Sequence, residues 1–373
     1  MPDLLATSRR LREHAIRRAT LLVDERRARC NIKTFVQRAA SANVILRPHF
    51  KTHQSAKVAQ WFGDAGVTRA TVSSLGQARY FADHGWQDLT LAMGANPREV
   101  TDYDDLAARI DLGLLVDHPH TIAALASGLN HPVGCWLDCD TGYGRTGVPW
   151  HDTDRLHDLV SLIEDAPNLT FRGLLTHAGH GYVAEDPANT FSQTRLRLQE
   201  AHTVLKRGLL SAGDTPGFAT TRDWSGLDEA RPGNFVFYDL MQFEADICTA
   251  DQLACAVACP VIGVYPESQE AVIHAGAVHL SREALQDGSF GRLLGLGEIG
   301  FEGLLPGWEL ERLSQEHGIL KAIGDQARAE LVNLRPGNLV LVAPVHSCLT
   351  CEQFDCYQTL AGETLPRYHR ESF

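Results

Sequence analysis

Through its first two thirds this chain alternates short apolar runs with amphipathic stretches, and that alternation limits the fold more than any other feature. Residues 44–46, 69–73, 89–93, 112–116, 133–138 and 169–175 are strand-length and mostly apolar. Between them lie helical patterns. Ala28, Ile32, Phe35, Val36 and Ala39 recur at helical spacing within 27–40. Leu156, Leu159, Val160 and Ile163 share one face of 153–164, and 190–209 is a third such stretch. Near-continuous apolar strands joined by helices predict a parallel sheet covered on both faces. Roughly seven or eight strand–helix units fit between residues 25 and 245, so a closed (β/α)8 barrel is favoured over an open doubly wound sheet.

After residue 239 the texture changes. Residues 253–265, 271–278 and 339–345 read as strands, with turns at Pro306-Gly307 and Pro336-Gly337 and one helical pattern near 321–331. The expected organisation is a barrel over 25–245 and a mostly antiparallel β domain over 246–373, joined by the N-terminal segment 1–24. With 34 Lys+Arg against 46 Asp+Glu the net charge is −12. That balance argues against nucleic acid, which needs a basic stripe, and against an anionic membrane surface. The longest apolar run, 253–264, is broken by Pro260 and falls short of the ~18 residues that span a bilayer. The charged, Arg-rich start of the chain does not read as a secretory signal, so a cytoplasmic protein is expected. Nine scattered cysteines are not a disulfide framework.

At the carboxyl ends of barrel strands, where such folds place active sites, polar and Gly-rich segments recur. They are 47–53 (RPHFKTH), 140–147 (DTGYGRTG), 176–182 (THAGHGY), 213–216 (GDTP) and 231–239 (RPGNFVFYD). Lys51 stands out among five lysines, because it alone follows an apolar strand, between His49 and His53. A desolvated lysine there is able to form a Schiff base, while the plain alternative is a side chain snorkelling from the rim. Arg145 offers a fixed guanidinium for a phenolate or carboxylate, or else a salt bridge to Asp138 or Asp140. Gly213 to Thr215 offer donors for a phosphate, or a mere turn. His346 and Cys348 follow the last strand. In extended backbone residues two apart point to one side, so imidazole and thiolate can meet on one metal, with Zn²⁺ the natural choice. Cys348 and Cys351 also form a CxxC, but no second pair matches a structural zinc site.

Taken in order, these segments and HSCLTC at 346–351 resemble the D-threonine aldolase and D-serine dehydratase family, fold-type III pyridoxal-phosphate enzymes related to alanine racemase. The resemblance runs over roughly residues 20–360. It implies that Lys51 carries pyridoxal 5'-phosphate, that Arg145 meets its phenolate, and that Gly213 and Thr215 help hold its phosphate. His177 and Tyr182 would line the substrate side, Tyr238 would lie near the ring, and His346 with Cys348 would bind the metal. It also implies that the strand near residues 21–24 joins the β domain, and that the protein is a homodimer. The His-x-Cys pair follows the dehydratases, whereas the aldolases show His-x-Asp. Asp214 departs from the Ser or Thr usual in the phosphate loop, so it should point away unless the loop assignment is shifted.

The expected reaction is dehydration of a small 3-hydroxy D-amino acid, such as D-serine or D-threo-3-hydroxyaspartate, to a 2-oxo acid and ammonia. Lys51 would take the Cα proton and Zn²⁺ would polarise the β-hydroxyl. The first alternative is an aldolase using Mn²⁺ or Mg²⁺, with His177 or His180 as base, releasing glycine and an aldehyde. A racemase needs no metal, a non-catalytic pyridoxal-phosphate-binding protein usually lacks a β domain, and a zinc or redox module on Cys348 and Cys351 leaves Lys51 and Arg145 without purpose.

Overall fold

Eight parallel strands follow one another in the order Ile45–Leu46, Glu229–Ala230, Leu209–Gly213, Leu169–His177, Val133–Asp140, Asp111–Val116, Asp88–Gly94, Ala70–Val72. The two ends of this row meet. His49 bridges Thr71 in parallel, the Phe50 amide donates to Thr71 O, and the Thr71 amide donates to Pro48 O, both at 2.9 Å. The sheet is thus closed as the alternation predicts. This computed structural model describes residues 3–369; residues 1, 2 and 370–373, at the outer ends of the expected segments 1–24 and 246–373, lie outside the described residues. Contacts divide the chain into two units: Lys33–Gly233, and Asn234–His369 together with the residues before Lys33.

Local chemistry sets the helices of the parallel unit. Ser74, Asp152 and Asp186 each accept a hydrogen bond from the first turn of the helix they precede, Leu75–Asp83, Thr153–Glu164 and Pro187–Leu205, satisfying amides that have no intrahelical partner. Leu156, Leu159, Val160 and Ile163 are all buried, as their spacing requires. The helix expected to reach residue 209 stops at Leu205, because Lys206 turns left-handed (φ 55°) and the strand Leu209–Gly213 follows. One feature of the sheet has no sequence signature. Arg47 is buried and paired with Glu229 (2.9 Å) and Asp88 (2.6 Å). A buried guanidinium needs such partners, and these tie the first residue after one strand to the starts of two others.

In the second unit, six antiparallel strands close on themselves in the order Glu270–Ile273, Gly318–Ala322, Phe301–Leu313, Gly291–Leu296, Leu339–Pro344, Cys255–Tyr265, the last pairing back with the first. Thr20–Val23 adds antiparallel to Cys255–Tyr265 and parallel to Cys356–Thr359, so the N-terminal strand does lie in the β unit. Three local readings need correction. The strand read over 271–278 ends at Ile273, and Ala277–Leu280 is a short helix. Pro306-Gly307 does not separate strands. It lies within Phe301–Leu313, where the register against the neighbouring strand shifts and Gly307 supplies a φ of 76°, the work of a bulge. The helix expected near 321–331 begins later, at Asp325, because Lys321 lies within the strand Gly318–Ala322. Among the described residues no helix is long and apolar enough to cross a membrane.

Candidate active site

Lys51 sits in the turn that leaves the closing bridge of the barrel. The turn is anchored from below by Phe50, fully buried, with ring centroids 5.3, 4.9 and 4.7 Å from Phe62, Phe81 and Trp86. Lys51 is left half-buried at the carboxyl end. Its two flanking histidines differ. His53 packs against Phe50 and Phe62, and its Nδ1 accepts the Ser55 amide at 3.1 Å. Burial pushes it down to about 3, so it is a core residue. His49 accepts the Lys51 amide through Nδ1 at 3.3 Å. It is held well below the usual imidazole range by burial and by the charges of Lys51 and Arg231.

The loop carrying Arg145 is shaped by glycines. Gly142 and Gly144 have φ of 118° and 74°, and their amides donate to Asp140 Oδ1 at 2.8 and 3.0 Å. At Gly147 (φ 99°) a Cβ would meet the Asp138 backbone at 3.0 Å. Asp138 is taken up by Thr146 Oγ1 at 2.7 Å. With both acids engaged by the loop, Arg145 lies instead over the Tyr143 ring, 5.4 Å from its centroid. That ring also meets His177 edge-on and stacks with His180, each at 5.9 Å.

His177 ends its strand, and its Nδ1 contacts Gly213 O at 2.5 Å. A carbonyl only accepts, so Nδ1 carries the hydrogen and Nε2 presents a lone pair. Burial, then repulsion from Lys51 and Arg145, brings this imidazole down to about 3. Tyr182 lies 6.5 Å from it, ring to ring, and its Oη accepts the Thr215 amide at 3.4 Å. The Thr215 hydroxyl is buried without a partner, which suits an acceptor-rich ligand such as a phosphate. Gly213 is required by packing, since a Cβ would meet Arg231 at 3.0 Å. Asp214 does point away from such a ligand. Its Oδ1 accepts from the Gly217 amide of its own helix at 2.5 Å, and burial lifts the carboxyl to about 7. Sequence reasoning gave Arg231 no role. It is buried between Ser211 Oγ and Thr176 O, both 2.6 Å away, and its charge acts on His49, His177 and Asp214.

Tyr238, His346 and Cys348 lie in the other unit. Tyr238 is buried with a φ of 50°. The backbone reason given for the His346–Cys348 pairing is corrected by the structure. The strand ends at Pro344, His346 is extended, and Cys348 is in the first turn of the helix Ser347–Glu352. The two side chains nevertheless hydrogen-bond. Burial opposes charge on His346, but Cys348 and Glu283 outweigh it and hold the imidazole protonated up to about 11. Glu283 Oε2 lies 2.7 Å from His346 Nδ1. No spacing signal reaches it, 63 residues away. Asp239 accepts the Ser347 amide at 2.9 Å, and Asn234 Nδ2 lies 3.9 Å from the Cys348 sulfur. Among the described residues no group of three or more His, Cys, Asp or Glu is set to hold a metal ion. The donors present are a pair, and an imidazole beside a thiol suits a soft divalent ion whose remaining positions stay open.

Residues 23–240 match the family model of the alanine racemase N-terminal domain, and residues 254–360 match a serine dehydratase domain. The chain belongs to the D-serine dehydratase and D-threonine aldolase family of alanine-racemase-like enzymes. Within it, the chain is 32% identical over 361 residues to D-threo-3-hydroxyaspartate dehydratase of Delftia sp., covering 92% of this chain and 93% of that one. Identity to D-serine dehydratase of Dictyostelium discoideum is 26% over 382 residues, with 92% and 93% covered. The solved Delftia enzyme superposes with a TM-score of 0.87 at 28% identity, over 99% of this chain and 100% of that one. Members of this family are pyridoxal-phosphate-dependent lyases acting on D-amino acids, and the chain is an enzyme of that class. The buried, unpartnered Thr215 hydroxyl and the neutral histidines around Lys51 fit that cofactor.

Proposed function

We propose that this protein removes water from a 3-hydroxy D-amino acid, with D-threo-3-hydroxyaspartate and D-serine the leading substrates, giving a 2-oxo acid and ammonia. The observation that carries the reading is the His346–Cys348 pair at the place where aldolases carry His and Asp, in a chain similar to dehydratases along nearly its whole length. In this reading residues 25–245 carry the cofactor, 246–373 form the metal-bearing β domain, and the protein acts as a cytoplasmic homodimer.

Bound pyridoxal phosphate supplies an electron sink beside Cα. Lys51 would hold it covalently, Arg145 would face its phenolate, Gly213 and Thr215 would hold its phosphate, and Tyr238 would lie near its ring. The Lys51 amine, when not engaged with the cofactor, would be the base that takes the Cα proton. His177 and Tyr182 line the substrate side, where the neutral His177 Nε2 accepts a hydrogen bond without adding charge. His346 and Cys348 would hold the zinc ion, whose chemistry there would be Lewis acidity toward a β-hydroxyl. Glu283 Oε2 meets His346 and Asn234 Nδ2 lies beside the Cys348 sulfur, while Asp239 accepts the amide of Ser347 between them.

The test is a screen of 3-hydroxy D-amino acids with zinc-loaded protein, measuring 2-oxo acid and glycine in parallel. Oxo acid with ammonia in equal amounts supports the reading. Glycine and aldehyde without oxo acid from every substrate would replace it with the aldolase reaction.

A further inference from the structure

His346 is held from behind by a carboxylate whose own placement is elaborate. Glu283 follows the short helix Ala277–Leu280, which ends at Ser281 with a φ of 68° and a ψ of −178°. That conformation is one L-residues rarely adopt. It aims the chain so that Ser281 Oγ accepts the Glu283 amide at 3.4 Å and Glu283 Oε2 reaches His346 Nδ1 at 2.7 Å. Thr350 Oγ1 donates to Leu280 O at 3.3 Å, fastening this turn to the helix that carries Cys348. On the other side, Asp239 Oδ2 accepts the Ser347 amide at 2.9 Å, and Asn234 Nδ2 donates to Ser347 Oγ at 3.0 Å.

We propose that Glu283 is a positioning residue for the metal site: it fixes a hydrogen of His346 on Nδ1, so that Nε2 would be the nitrogen left to bind the metal. The inference rests on the reading of His346 and Cys348 as a zinc pair. Its logic is short. An ionised carboxylate is an acceptor only, so the nitrogen it touches must carry the hydrogen, and the other nitrogen is the one that gives up its proton and offers a lone pair when a metal binds. The contact also stops the ring from turning and makes Nε2 a stronger donor. With two protein donors, binding depends on both being aimed at once. A freely turning imidazole would reduce the site to a single thiolate. The strained turn at Ser281 and the Thr350 tie make sense as the means of placing Glu283, which is otherwise a partly exposed acid with no reason to be held.

The experiment strips metal from the cofactor-loaded protein and titrates zinc against a chromogenic chelator, then repeats the loading with cobalt to record the thiolate-to-metal absorption. Glu283→Ala should weaken zinc binding by about 10- to 100-fold and change the cobalt spectrum. Glu283→Gln keeps a carbonyl oxygen for the Nδ1 hydrogen, so it should bind more tightly than Glu283→Ala and restore the wild-type spectrum. A general structural role would not produce that rescue. If Glu283→Ala binds zinc within about twofold of wild type, with an unchanged cobalt spectrum, Glu283 only pairs with the metal-free imidazole and the inference is overturned. If wild type binds zinc no better than His346→Ala, the zinc pair itself is wrong, and the inference goes with it.

Discussion

The two units use histidine in opposite ways. In the parallel unit His177 is buried among cations, Lys51, Arg145 and Arg231, and is brought down to about 3. It is neutral at working pH and can accept a hydrogen bond beside a lysine without blocking it. In the β unit His346 stands between Cys348 and Glu283 and is held protonated up to about 11. There the proton occupies the place that a divalent cation takes when a thiolate and an imidazole ligate together. One residue type is thus uncharged in one unit and held as a cation in the other, and the neighbours alone decide which.

The comparison breaks most visibly at Lys51. Lys51→Ala should lower turnover by at least about 10⁴-fold, the upper range for losing a placed base, and borohydride with pyridoxal phosphate should no longer label the protein. A label that persists would move the cofactor elsewhere. Next comes the metal side. Cys348→Ala should cost several kcal/mol of Lewis-acid assistance, roughly 10³-fold in rate, while the cofactor's absorbance band stays. Cys348→Asp, a harder pair, should lower zinc-dependent elimination and raise glycine release with Mn²⁺. Smaller again, His177→Gln should reduce turnover by about 10²-fold with zinc affinity unchanged. A change in zinc affinity would show that the two histidines are not independent.

What the sequence made legible follows from what each residue depends on. Strand and helix placement rests on local periodicity, so the closed parallel sheet and the change of texture near residue 239 could be read directly. Lys51 and Arg145 could be singled out as candidates because each sits at a strand end among residues that a plain loop does not need. Arg231 was in view within its motif, but its burial between Ser211 and Thr176 depends on strands far apart in sequence. Glu283 is reached only through the fold. The pairing of His346 with Cys348 was expected for an insufficient reason: extended spacing gives way to a helical first turn, and the two meet all the same.

The smallest expected effect is a pH slope in stability. His53 and His177 have folded values near 3, below the ordinary 6.5. Between those limits the unfolded chain binds more protons, so stability falls on acidification from about pH 6.5. Asp214 acts in the opposite sense. Its folded value near 7 exceeds its usual 3.8, so its contribution is full below pH 3.8 and is lost as pH rises through 7. Each group is worth at most about 1.4 kcal/mol per pH unit while it titrates. In cofactor-free protein Asp214→Asn should therefore steepen the acid loss measured by urea unfolding between pH 4 and 6.5. An unchanged slope would mean that Asp214 is ionised in its buried cap.

The division of labour between the two units can be measured in one sample. Cys348→Ala, loaded with pyridoxal phosphate and kept with D-serine in deuterated water, should exchange the Cα hydrogen for deuterium while forming little 2-oxo acid, because the proposed function gives proton removal to Lys51 and departure of the hydroxyl to the metal pair. Wild-type protein with zinc should form the oxo acid. Oxo acid formation by Cys348→Ala at the wild-type rate, or loss of Cα exchange with the cofactor band intact, would contradict the account.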